Sequence, residues 1–119
     1  MLEEIFKKED APVCEIPAEF NAMIEKARNM GLTYEFSVIR QSRINRCSSV
    51  DLCTYNQVTI IINTVDMFTG ETRTLAQQLH SLAHELAHCF HLQDGQNYNN
   101  MGLQWCENFA ESFSKQLEG

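Results

Sequence analysis

The segment SLAHELAHCF places two histidines, His84 and His88, four residues apart, with Glu85 directly after the first. Four residues of helix advance about 6 Å and turn about 40° around the axis, so both imidazoles leave the same face one turn apart. Nitrogens at that separation can share one Zn2+ at bonds of about 2.0–2.1 Å. Glu85 then stands beside the ion without filling its open position, where a carboxylate can accept a proton from water. Leu82, Ala83, Leu86 and Ala87 surround this trio with apolar side chains, a setting in which unpaired polar groups are costly. A zinc site of two histidines and one carboxylate needs a further Glu or Asp from elsewhere in the fold. The stretch WCENFAESF offers Glu107, with eighteen residues between it and His88. The bland reading is two surface histidines on a helix with an ordinary Glu between them.

Other residues compete for the same roles. His80 and His91 share the stripe of His84 and His88, but a third ligand from one straight helix makes poor tetrahedral geometry, so they are expected as lining or rim residues. Asp94 lies ten residues after His84, the spacing at which metzincins place their third ligand, and Met101 could stand as their Met-turn. Those enzymes carry Gly where this chain has His91, because the backbone must leave the helix sharply, often at positive φ. Cys89 and Cys106 adjoin ligands in sequence, yet one helical residue is a rotation of about 100°, so both are expected in the core. Tyr34, Tyr55 and Tyr98 are candidates to stabilise an oxyanion, with Tyr98 best placed between the ligand helices.

The elements that must position these groups follow from periodicity. Residues 17–30 read as a helix, with Pro17 in its first turn, an apolar stripe of Phe20, Ile24 and Ala27, and Gly31 at the C-cap. Leu32, Tyr34, Phe36 and Val38 alternate with polar residues as a half-buried strand does, and Val50 and Leu52 suggest a second, shorter one. The β-branched run Val58 to Ile62 predicts a third strand, more deeply buried, with Tyr55-Asn56-Gln57 as the hairpin before it. After Thr69-Gly70 the period becomes helical over 73–91. Gly95, three asparagines and Gly102 mark 94–102 as a loop. A last helix covers 103–117, anchored by Trp105, Phe109, Phe113 and Leu117, so that Glu107 and Glu111 share another face. The order predicts an α+β domain over residues 1–119, with a small, mainly antiparallel three-stranded sheet packed on helices.

At 119 residues the chain is long enough for one hydrophobic core and too short for two. A net charge of −7 argues against a sequence-independent grip on nucleic acid, which needs clustered Lys and Arg, and Arg40, Arg43 and Arg46 are expected to be solvated. Met1 to Ala11 is acidic and interrupted, and no stretch approaches a membrane span. Five cysteines at irregular spacing make a poor disulfide framework, which points to the cytoplasm.

The pattern from His84 to His88, followed after eighteen residues by Glu107-Asn108-Phe109-Ala110-Glu111, resembles the gluzincin arrangement. Within it, the chain length, the strand-then-helix order and the Glu107, Ala110, Phe113 pattern are similar to the ImmA/IrrE family of small metallopeptidases, over roughly residues 58–117. That resemblance implies a zincin-like fold with one Zn2+ on His84, His88 and Glu107, and Glu85 as the general base. It implies that Glu111 hydrogen-bonds the His84 imidazole. It also implies a protein or peptide substrate, typically a helix-turn-helix repressor. A non-catalytic zinc scaffold closed by a fourth ligand such as His91, or an acidic partner of a basic protein, are the readings from other classes.

Overall fold

Val58-Thr59-Ile60-Ile61-Ile62 is the most strongly β-forming run in the sequence, and it becomes the centre of the sheet. The computed structural model describes residues 15–42, 49–52, 58–94 and 102–118. In chain order these form α1 (Ala18–Asn29), β1 (Phe36–Gln41), β2 (Ser49–Leu52), β3 (Val58–Asn63), α2 (Leu75–Gln93) and α3 (Leu103–Glu118). Helices and strands mix in an α+β arrangement. Alternate residues of β3, Val58, Ile60 and Ile62, are at most 1% exposed and join Leu82, Leu86 and Phe20 in the core.

The sheet differs from the mainly antiparallel one expected. Its order is β1-β3-β2, and β2 pairs antiparallel with β3, from Ser49 opposite Ile61 to Leu52 opposite Val58. On the other side β1 runs parallel to β3, from Phe36 beside Val58 to Gln41 beside Asn63. A hairpin of adjacent strands must be antiparallel, but β3 also offers its second edge. The earlier strand docks there in the direction that the intervening β2 leaves open. The expected hairpin tip at Tyr55–Gln57 lies outside the described residues.

β1 also begins four residues later than the alternation of Leu32 to Val38 predicts. Residues 32–35 find their partners in side chains rather than a ladder. Arg28 Nη1 donates to the carbonyls of Leu32 (3.1 Å) and Tyr34 (2.7 Å), while Gln93 Oε1 accepts from Thr33 N (2.6 Å) and Tyr34 N (2.9 Å). Just before them α1 closes as a Schellman motif, with Leu32 N bonded to Ala27 O and Gly31 N to Arg28 O. Gly31 sits at φ 109°, which only glycine adopts without strain. Arg40 is not solvated as expected: it lies in β1, donates to Glu15 O (2.7 Å) and Gln78 Oε1 (3.1 Å), and approaches the Phe20 ring.

α2 starts at a capping box, in which Thr74 Oγ1 accepts from Gln77 N and Gln77 Oε1 accepts from Thr74 N. It runs unbroken to Gln93, with Asp94 as C-cap. α3 lies along it, and the side-chain pairs His80–Glu118, His84–Glu111 and His88–Glu107 show that the two helices are antiparallel. The aromatic residues were expected to anchor α3, but Trp105 is 38% exposed and Phe109 and Phe113 are half-buried. Leu117 and Cys106 are buried as expected, and Ala110 and Ser114 complete the buried face with small side chains that let a neighbouring backbone approach closely. Among the described residues no helix is long and apolar enough to cross a membrane.

Candidate metal centre

α2 carries His84 and His88 on one face, and α3 brings Glu107 to meet them. Glu107 Oε2 is 3.0 Å from His84 Nε2, and Glu107 Oε1 is 3.5 Å from His88 Nε2. One donor atom from each residue lies within 4.8 Å of the other two. Ligands bonded tetrahedrally at about 2.1 Å stand about 3.4 Å apart, so these three could hold a zinc-sized ion if their side chains draw together. Among the described residues, this is the group of His, Cys, Asp and Glu placed to hold a cation. Asp94, the rival ligand, stays at the C-cap of α2 because the helix continues through His91 without the early turn that rival requires. Met101 and Tyr98 lie outside the described residues, as does Tyr55.

The electrostatics suit ligation. The His88 side chain is 10% exposed, and its pKa is depressed to about 4. Burial is the main cause, followed by the charge His84 can carry; Glu107 opposes the shift and His91 adds slightly to it. His88 is therefore neutral at pH 7 and offers its lone pair without first losing a proton. Glu85 follows His84 along the helix and is buried, with only 7% exposure. Glu111 Oε2 lies 3.8 Å from His84 Nδ1, beyond a hydrogen bond but on the side where a ligating imidazole would turn its remaining N–H.

The bystanders divide. Cys89 and Cys106 are buried free thiols, and burial pushes Cys89 up to about 12, with the Glu85 carboxylate adding to it. His80 is half-exposed and bonds Glu118 at 2.9 Å. His91, expected as a lining or rim residue, is 2% exposed, against Phe109, Trp105 and His88, which is a lining rather than a rim position. Sequence reasoning also passed over Arg73, whose guanidinium donates to Asn63 O (2.7 Å), Gln77 O (2.9 Å) and Ser81 Oγ (2.6 Å). Arg73 thereby ties the end of β3 to α2 one turn before His84, beside an open groove of about 200 Å³ that also involves Asp66 and Met67. No local signal in the sequence marks that arginine. Comparison with protein-family models, curated proteins and solved structures finds no match to this chain.

Proposed function

We propose that this chain is a zinc-dependent peptidase acting on a protein or peptide. The observation that carries the reading is the convergence of His84, His88 and Glu107 from two helices, with the buried Glu85 directly after the first ligand. When bound, zinc would polarise the scissile carbonyl and acidify water at the same place. His84 and His88 would hold the ion through Nε2, and Glu107 through a carboxylate oxygen. The Glu85 carboxylate would accept a proton from the attacking water and return it to the leaving amine nitrogen. The edge strand β2, which α2 touches, offers backbone groups for an extended substrate to pair with. Three protein donors leave a position for substrate, which supports this reading over a scaffold closed by a fourth ligand.

The resemblance to ImmA/IrrE peptidases supports the same site assignment and suggests a regulatory DNA-binding repressor as substrate, cleaved in the cytoplasm. Metal content measured on the purified chain tests the centre. Wild type and Asp94→Ala should hold close to one zinc each, whereas His84→Ala, His88→Ala and Glu107→Ala should lose most of it. Glu85→Gln should keep the metal and lose hydrolysis of candidate repressors. Equal zinc in wild type and all three ligand variants would end the metal reading. Full hydrolysis by Glu85→Gln would end the assignment of the base.

A further inference from the structure

The connection from β3 to α2 and the open side of α2 enclose a groove of about 200 Å³, lined by Asn63, Val65, Asp66, Met67, Arg73 and Ser81. One of its walls belongs to the helix that carries the candidate ligands. Ser81 precedes His84, Glu85 and His88 by three, four and seven residues, which puts all four within about 100° of one another around the helix axis. The groove therefore opens on the same stripe as the metal centre, with Ser81 about 4.5–6 Å along the axis from His84 and Glu85. An extended peptide advances about 3.3 Å per residue. A chain lying across the centre would thus send into the groove a side chain close to the bond at the metal.

The other wall is built before any ligand arrives. Asp66 Oδ1 accepts from Phe68 N (2.8 Å) and Thr69 N (3.0 Å), Val65 bridges to Thr72, and Arg73 donates to Asn63 O, Gln77 O and Ser81 Oγ. A wall fixed in this way loses little freedom on binding. Its chemistry is selective. Val65 and Met67 are apolar, while the Asp66 carboxylate and the Arg73 guanidinium bring opposite charges that act on each other. A charged side chain entering between them would lose water beside a group of its own sign, whichever sign it carries. Size sets a second limit, because the groove is smaller than the about 300–1,000 Å³ of sites that enclose a whole small molecule, and suits a single side chain.

We propose that this groove is a specificity subsite of the peptidase, taking one uncharged, largely apolar side chain of about leucine size from an extended segment of the substrate beside the scissile bond. The proposal rests on the reading of His84, His88 and Glu107 as a catalytic zinc centre, to which Ser81 and Met67 contribute no ligand.

The test uses the full chain loaded with zinc and a set of dipeptide hydroxamates, with the chelating group at either end of the dipeptide to anchor on the ion. Each residue is varied among Gly, Leu, Asp and Lys, and affinity is read by titration calorimetry. At one position Leu should bind about 10-fold or more tighter than Gly, Asp or Lys, as apolar contacts in a pocket allow. Ser81→Trp and Met67→Trp, which fill the groove from its two walls, should bring Leu to the level of Gly. Zinc affinity, measured by competition against a chromophoric chelator, should stay the same in both. Equal binding of Leu and Gly at every position overturns the proposal, as does a preference for Asp or Lys. So does a Leu preference that survives both variants. Zinc bound with no affinity for any hydroxamate sinks the peptidase reading and the subsite with it, and a chain that binds no zinc overturns the metal reading beneath both.

Discussion

Acid should destabilise the metal-free protein through His88, and the size of the effect follows from the burial of that residue. In the unfolded chain the imidazole takes up a proton near pH 6.5, but in the fold it does so only near about 4. Between those values the unfolded state holds a proton that the folded state refuses. The stability contributed is therefore fully present above pH 6.5 and is lost as pH falls towards 4. The gap of about 2.5 pH units sets a ceiling of about 3 kcal/mol. The side chain keeps 10% exposure, so solvent reduces the expected effect to about 2 kcal/mol. Carboxylates elsewhere titrate in the same window, so the informative quantity is a difference between two proteins. Urea unfolding with a chelator present, at pH 7.5 and pH 4.5, should show wild type losing about 2 kcal/mol more than His88→Gln. The same pH dependence in both would refute the argument that burial holds this imidazole neutral.

Two further outcomes test how the site is positioned. Gln93→Ala removes the acceptor for Thr33 N and Tyr34 N and the donor to Gly31 O, so urea unfolding should show a loss of roughly 2–3 kcal/mol. Ala110→Leu forces bulk into a fully buried position on α3 one turn after Glu107 and should cost about 1–3 kcal/mol in thermal or urea unfolding, together with weaker zinc binding.

Much of the fold was legible because periodicity reports burial directly. The ends of α1, α2 and α3 fall within two residues of the expected ones, since Pro17, Gly31 and Gly102 punctuate the chain there. β1 was misplaced because Leu32 to Phe36 alternate like a strand while their hydrogen bonds run to Arg28 and Gln93, the latter 60 residues away from Thr33. Such partners leave no local trace. The direction of β1 was hidden for a similar reason: which edge of β3 an earlier strand takes is a matter of the whole sheet. For the site, His84, His88 and Glu107 could be read together because helical spacing and the chemistry of a three-ligand centre constrain them. The depth of His91 could not, because it depends on Phe109 and Trp105 closing over it from another helix. Cys106 was expected in the core and is there, whereas small residues such as Ala110 and Ser114 carry no apolar signal that marks them as buried.

That row of small side chains acts as a ruler. Small side chains on the buried face of a helix let a neighbour approach closely, and α2, which packs on α3, carries the imidazoles that the Glu107 carboxylate must reach. Side chains can rotate to close on an ion, but close-packed helices cannot separate without opening voids between them. A cation bridging the helices must therefore suit the spacing rather than set it. Calcium, which takes six or more oxygen ligands, would find a single carboxylate among these three residues, whereas zinc takes imidazole nitrogen and carboxylate oxygen together. An ion proposed for these three residues would thus have to suit both their donor types and the distance between the two helices.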